Sequence, residues 1–379
     1  MLLKTFKYRL YPNPKQDQLL SDTCFLCSLV YNKMLAERIE TYEASGTSLS
    51  AFSQIKNLPT LKSDIPRLVE VHSQVLQDAV RRLDKAYQSF FRRVREGKDA
   101  PGFPRFRSAR RYDSFTFPQP NNGSVKLLKD GTGGRLHLSK IGVVKVKMHR
   151  PMEGSIKTVT IRRKADKWYV CFCCEILQPE PKPTTGKVAG IDMGIWYHVT
   201  TSDGEVMREA PKHLQQAERK LKQLQRAVSR KAKGSSNRRK AILLLAKAHE
   251  RVANQRRDTA YKIANVLLSE YDALALEDLG IRSMVTEPHY AKRIMDVGWG
   301  ILQNAIEQKA IEWGREVIYV DPHNTTQLCS NCGILVPKEL TAEYHNCPNC
   351  YLLVKRQINS ALNILNRSGL GRSLCGATR

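Results

Sequence analysis

The chain has 379 residues, with 62 Lys+Arg against 36 Asp+Glu and a formal net charge of +26. Its hydrophobic share of 41% is enough for packed cores and excludes a disordered tail protein. No stretch reaches the ~18 apolar residues of a membrane span. Residues 1–11 alternate basic and apolar types with no apolar run and no small-residue cleavage site, unlike a signal peptide. Ten cysteines are too sparse for a disulfide-stapled scaffold. A positive excess of this size calls for a polyanion. With no basic amphipathic helix bearing exposed aromatics and no lipidation motif, nucleic acid is the expected partner and a membrane is not.

In chain order, residues 2–11 (LLKTFKYRLY) alternate like a strand that Pro12 and Pro14 end. Residues 15–43 carry apolar positions at helical spacing, from Leu19 and Leu20 through Tyr31 to Ile39. Residues 46–62 are polar and read as a connection. A second helical stretch runs from about Pro66 to Arg95, and Gly97 to Pro104 breaks it. From Ser114 to Leu177 the period changes to two, which predicts about five strands. A strand, a helical insertion and then more strands suggest one β-barrel interrupted by a helical domain. Pro179 to Gly186 reads as a linker. VAGIDMGIWYHVTTSDGEV then reads as three strands, followed by long helices over 211–270 that break at Gly234-Ser235-Ser236. A short buried strand (273–277, ALALE), a helix near 297–313, a strand (316–320, EVIYV), a Cys-rich insert and a helix at about 355–367 complete the pattern.

The charge is concentrated. Residues 207–258 hold 16 Lys+Arg against 4 Asp+Glu. In this stretch Arg230, Lys231, Lys233, Arg238, Arg239 and Lys240 are candidates for phosphate contact. A second cluster contributes Arg105, Arg107, Arg110 and Arg111. A solvated helix face normally mixes signs, and these do not. Tyr112, Phe115 and Phe117 beside the second cluster could stack on bases, although an alternating set is more often half core. The Trp196-Tyr197 pair after Asp192 either lines a groove or packs inside.

Cys329-x-x-Cys332 and Cys347-x-x-Cys350 are separated by 14 residues. Two such knuckles supply four soft ligands to tetrahedral Zn²⁺, so a closed, structural zinc ribbon is expected. Cys24-x-x-Cys27 lies inside a helical stripe and is expected in the core, as are Cys171, Cys173 and Cys174. Asp192 ends the strand VAGID and Glu277 ends LALE. Each carboxylate follows an apolar run and precedes a turn, so each should project from a sheet edge. The element order is that of a ribonuclease-H-like α/β domain, in which such acids hold two divalent ions about 3.5–4 Å apart. Mg²⁺ suits oxygen ligands of this kind.

These features resemble the TnpB family of insertion-sequence proteins, relatives of the type V CRISPR nucleases. The residues that carry the resemblance are KTFKYRLYPNPKQ, GFPRFRSARRYDSFTF, GIDMGI, LALEDLG, DVGWG, VDPHNTTQLCSNCG, NCPNC and INSALNIL, in order along essentially the whole chain. The resemblance implies an α+β multidomain protein. A wedge β-barrel (1–14 and 113–178) would hold an inserted helical recognition domain (15–112). A linker (179–186) would lead to a RuvC-like domain (187–325 and 353–367) carrying the zinc ribbon (326–352), and a flexible tail (368–379) would follow. It also implies a guide RNA, double-stranded target DNA beside a short motif, and a bacterial cytoplasmic, nucleoid-associated location. It leaves the oligomeric state open.

By the same resemblance Asp192 and Glu277 are the first two RuvC carboxylates. The family's last motif reads Asp-Arg-Asp-x-Asn-Ala-Ala, and its second Asp is the third catalytic ligand. Here Lys355-Arg356-Gln357-Ile358-Asn359-Ser360-Ala361 stands in its place, so Gln357 occupies the catalytic position. No acid follows Glu343. Cleavage is therefore expected to be impaired and guided DNA binding kept, as in nuclease-dead TnpB-like repressors. The alternatives are an active endonuclease with a rearranged third ligand (Asp278, Asp296 or Asp321), a strand-transfer transposase, and a non-enzymatic zinc-ribbon RNA-binding protein.

Overall fold

The computed structural model describes residues 1–97, 100–130, 133–286, 288–339 and 342–370. The expected loose tail therefore lies largely outside the described residues. Contacts divide the chain into two units, Met1–Gln178 and Pro179–Arg379.

In the first unit, β1 (Leu2–Tyr11) buries Phe6, Tyr8 and Leu10 on one face. The helix α1 (Pro14–Ser45) starts at a reciprocal cap: Gln16 N–H donates to the Asn13 side chain, and Asn13 N–H donates to that of Gln16. It stops at Gly46, whose φ of 66° suits glycine. Two short helices, α2 (Ala51–Lys56) and α3 (Leu58–Asp64), precede α4 (Ser73–Arg95). They occupy the stretch that reads as a polar connection. A buried polar network explains the difference: Arg38 of α1 donates to Gln54 at 2.8 Å and pairs with Asp84 of α4 at 3.1 Å. α3 also buries Leu58 and Leu61 in the apolar core, so this stretch covers a mixed interior whose polar groups are satisfied.

Six strands follow, one more than the period predicts: β2 (Ser114–Phe117), β3 (Val125–Asp130), β4 (Gly133–Leu138), β5 (Gly142–Lys147), β6 (Ser155–Lys164) and β7 (Lys167–Ile176). They join β1 in one antiparallel sheet of order β2-β6-β7-β1-β5-β4-β3. The first strand of the chain is thus the middle strand of a curled half-barrel, with the helices inserted between it and the rest. Cys24, Cys27 and Cys174 are buried, while Cys171 and Cys173 are half-buried. Burial pushes the Cys24 thiol up to about 12, as expected for packing rather than metal ligation.

The second unit is built on a five-stranded sheet of order β10-β9-β8-β11-β12. Its strands are β8 (Val188–Asp192), β9 (Tyr197–Thr201), β10 (Met207–Glu209), β11 (Ala273–Glu277) and β12 (Glu316–Val320). β8, β11 and β12 run parallel, β9 runs antiparallel to β8, and β10 runs antiparallel to β9. β11 is buried at every position, which explains its unbroken apolar run. Two long helices, α5 (His213–Ser229) and α6 (Ser236–Glu270), connect β10 to β11. α7 (Ile281–Met284), α8 (Pro288–Val297) and α9 (Trp299–Trp313) lie between β11 and β12. A hairpin of β13 (Tyr344–Asn346) and β14 (Leu353–Lys355) runs straight into α10 (Arg356–Ser368). Gly190 is where α10 meets the sheet: a Cβ there would lie 2.0 Å from the Ala361 carbonyl oxygen. No helix among the described residues is long and apolar enough to cross a membrane.

Candidate metal centre and its nucleic-acid surfaces

Asp192 and Glu277 end neighbouring parallel strands. Ile191 is the register partner of Leu276, so one further step sets the two acids side by side. α10 closes over them from the other direction and brings Gln357 in its first turn. Asp192, Glu277, Arg356, Gln357 and Thr325 all line one pocket of about 550 Å³. The other residues described around it include no third acid.

The electrostatics are those of two buried carboxyls beside one arginine. Burial pushes the Asp192 carboxyl up to about 6, against the opposing charge of Arg356. Burial first, and the Asp192 charge second, push Glu277 up to about 7. The Thr325 hydroxyl donates to Glu277 Oε1 at 2.5 Å and works the other way. Gln357 is buried, and its Oε1 has no hydrogen-bond partner. Two carboxylates reluctant to ionise and a buried amide oxygen with nothing to accept from are groups that a divalent cation would satisfy.

Asp278, Asp296 and Asp321 do not line this pocket. Asp296 is engaged elsewhere. It stands near the end of α8, accepts the Leu214 and Gln215 amides at the start of α5, and pairs with Arg256 at 3.1 Å. Asp321 accepts the amide of His323 in a turn.

The four cysteine thiols of the insert lie within 4.8 Å of one another. The Cys329–Cys350 and Cys332–Cys347 sulfur pairs are each 3.5 Å apart. Tetrahedral Zn²⁺ with ~2.3 Å bonds needs sulfurs about 3.8 Å apart, so the four residues fit that ion. Each knuckle turns through a left-handed residue, Gly333 (φ 75°) in one and Tyr351 (φ 56°) in the other. Hydrogen bonds, chiefly from the Ile334 amide, hold Cys332 down to about 6, which favours a thiolate. The sequence gives no hint of how the insert is fastened. Asn359 of α10 accepts the Ser330 amide at 2.9 Å and donates to the Leu328 carbonyl at 2.7 Å. Asn363 donates to the carbonyls of Thr325 and Leu328. The helix that carries Gln357 is thus tied to the first cysteine knuckle and to Thr325.

In the first unit Arg105, Arg107, Arg110 and Arg111 are all exposed or partly so. The Arg107 backbone is held by a reciprocal pair of bonds with the Asn32 side chain. Tyr112, Phe115 and Phe117 are core residues at 3% exposure or less, so base stacking by this trio is ruled out. Phe103 and Phe106 are the exposed aromatics of this segment. In the second unit Arg230, Lys231, Lys233, Arg239 and Lys240 are exposed around the α5–α6 turn. Arg238 is half-buried and donates to the carbonyls of Val228 and Lys231, closing the end of α5.

A family model described as "Probable transposase" matches residues 171–287, and one described as "Cas12f1-like, TNB domain" matches 299–364. Over nearly its full length the chain is 33% identical to a protein of Streptomyces pristinaespiralis named "Putative RNA-guided DNA endonuclease", covering 98% of this chain and 91% of that one. It belongs to the TnpB family of RNA-guided DNA endonucleases. Another TnpB relative, "Putative RNA-guided DNA endonuclease InsQ" of Escherichia coli K12, is 29% identical over 96% of this chain and 92% of its own. The fold matches that of Cas12f1 in a complex with sgRNA and target DNA, with a TM-score of 0.62 at 14% identity, covering 96% and 98% of the two chains. A "Helix-turn-helix domain" model matches residues 1–47 of this TnpB chain, where the structure has one strand and one 32-residue helix.

Proposed function

We propose that this chain is an RNA-guided DNA-binding protein whose own cleavage step is impaired, acting as a roadblock or repressor at its target. The observation that carries the reading is the composition of the acid pocket: Asp192 and Glu277 on adjacent strands, Gln357 in the third position, and no other acid among the residues described around it. The relatives' names and the Cas12f1 complex support guide RNA and target DNA as partners. The exposed basic clusters suit heteroduplex backbone, with sequence read by base pairing.

Asp192, Glu277 and the Gln357 amide oxygen would hold Mg²⁺, which supplies an activated water and charge neutralisation at the scissile phosphate. Three carboxylates offset −3 of the +4 on two such ions, and two offset only −2. Arg356 beside the pair can bind a phosphate oxygen but cannot ligate a cation. Thr325 fixes the Glu277 rotamer, and the α10 asparagines fix the helix that presents Gln357. A loss of ~3–5 kcal/mol at the transition state corresponds to a rate ~10²–10⁴-fold lower. The zinc ribbon has a structural role in this scheme.

The test is to load the protein with its copurifying RNA and assay matching DNA for binding and cutting. Binding without Mg²⁺-dependent cutting is expected, with cutting gained in Gln357→Asp. Robust cutting by the unaltered chain removes the reading. Joining of donor DNA ends would instead indicate a strand-transfer transposase.

A further inference from the structure

We propose that Trp196 is a stacking platform for one unpaired base of the DNA strand that passes the acid pocket. This rests on the reading above that the chain acts on DNA. Trp196 follows β8 by four residues and is 49% exposed, which is unusual for the largest apolar side chain. It lines two adjoining cavities: the acid pocket, and a second of about 530 Å³ between β10 and the helices α5 and α8. The Arg293 guanidinium lies over its ring at 4.1 Å, a cation–π contact that fixes the indole plane while leaving half of the residue in solvent. Tyr197 beside it faces Lys355 at 6.0 Å, and Arg356 stands on the acid side. An aromatic ring covered by one guanidinium and otherwise half exposed, beside a pocket lined by the carboxylates and Arg356, is an arrangement that can receive an unpaired base.

Stacking rather than charge provides the affinity. In the second cavity Lys292 is paired with Glu218 at 2.6 Å, Asp296 is paired with Arg256, and Glu209 and Lys212 contribute opposite signs. The indole is therefore the group there with an unmet surface. An unpaired base of the guide RNA has the same chemistry as one of the DNA strand, so the experiment separates the two.

The experiment uses the full chain loaded with its copurifying RNA and a single-stranded deoxyoligonucleotide carrying one 2-aminopurine, with Trp196→Ala, Trp196→Phe and the unaltered protein compared. The expected result is quenching of the probe by the unaltered chain and about tenfold weaker oligonucleotide binding by Trp196→Ala. Trp196→Phe should retain most of the affinity. An abasic site in place of the probe base should abolish the difference between the variants. Because the lost contribution is stacking, its size should hold between low and high salt. Equal oligonucleotide affinity in Trp196→Ala, or the same loss with the abasic strand, overturns the proposal. So does weaker guide-RNA retention in Trp196→Ala with DNA binding unchanged, which would place the stacked base in the guide. Guided duplex binding is measured on the same samples. Its absence would sink the wider reading, whereas its presence with no Trp196 effect would sink this one alone.

Discussion

Asp192 and Glu277 end adjacent parallel strands, and the Asp192 charge is, after burial, the main reason that the Glu277 carboxyl is pushed up to about 7. Removing one charge should relieve the other. Asp192→Asn is expected to return Glu277 toward its ordinary range and to raise the melting temperature of the metal-free protein at pH 8 by a few degrees. Thermal melts in EDTA check this, and an unchanged or lower melting temperature would show that the two acids do not interact.

The same pair sets a pH dependence. Folded, Asp192 and Glu277 hold protons up to about pH 6 and about pH 7, against ordinary values of 3.8 and 4.5 that apply once the chain unfolds. Between these limits the folded chain binds more protons than the unfolded chain, so the pair's contribution to stability falls as pH rises from about 4 to about 7. The stability difference between the unaltered chain and an Asp192→Asn, Glu277→Gln double variant should grow over that window in EDTA. Added Mg²⁺ should reverse the loss above pH 7 and do little near pH 5. Denaturant melts across pH measure both.

Gly190 fixes the distance between the sheet and α10. A methyl group on Gly190 would stand 2.0 Å from the Ala361 oxygen, so Gly190→Ala must push the helix away. The expected cost is about 3 kcal/mol, at the upper end of overpacking. Because Gln357 rides on that helix, the substitution should also weaken divalent binding at the acid pocket. Urea melts and a Mg²⁺ or Mn²⁺ titration read the two effects separately.

The zinc insert should act on the site through α10. One zinc per chain is expected by metal analysis, lost in Cys347→Ser. Asn359 and Asn363 bond the first knuckle to the helix, so zinc removal should raise amide exchange in the first turns of α10 as well as in residues 326–339 and 342–352. Asn359→Ala, which strands the Ser330 amide while Asn363 still donates to the Leu328 carbonyl, should cost about 1–3 kcal/mol with zinc retained.

Much of this architecture was legible because the physics is local. The strands 273–277 and 316–320 match their short apolar runs to the residue; the first is buried throughout and has only one pattern open to it, and the second is the edge strand beside it. The Cys-x-x-Cys pairs and the sheet-edge acids could likewise be read from spacing and order, and the Gln357 departure from the resemblance to the family's last motif. What escaped depends on distant partners. The α2 and α3 helices form over a polar stretch because Arg38, itself paired with Asp84, satisfies Gln54. The aromatic trio at 112–117 is core because α4 covers it: Arg82 reaches Ser114 and Thr116 across 32 and 34 residues. Thr325, Arg356 and Asn359 lie in recognisable motifs, yet their roles are set by what the folded chain places opposite them.

The most direct test of the account compares the unaltered protein with Gln357→Asp, each loaded with the same RNA and given the same matching DNA and Mg²⁺. The account predicts equal target binding, with salt dependence of the steep kind that many phosphate contacts give. It also predicts that the unaltered chain cuts ~10²–10⁴-fold more slowly than the variant. Equal and rapid cutting by both proteins would contradict it.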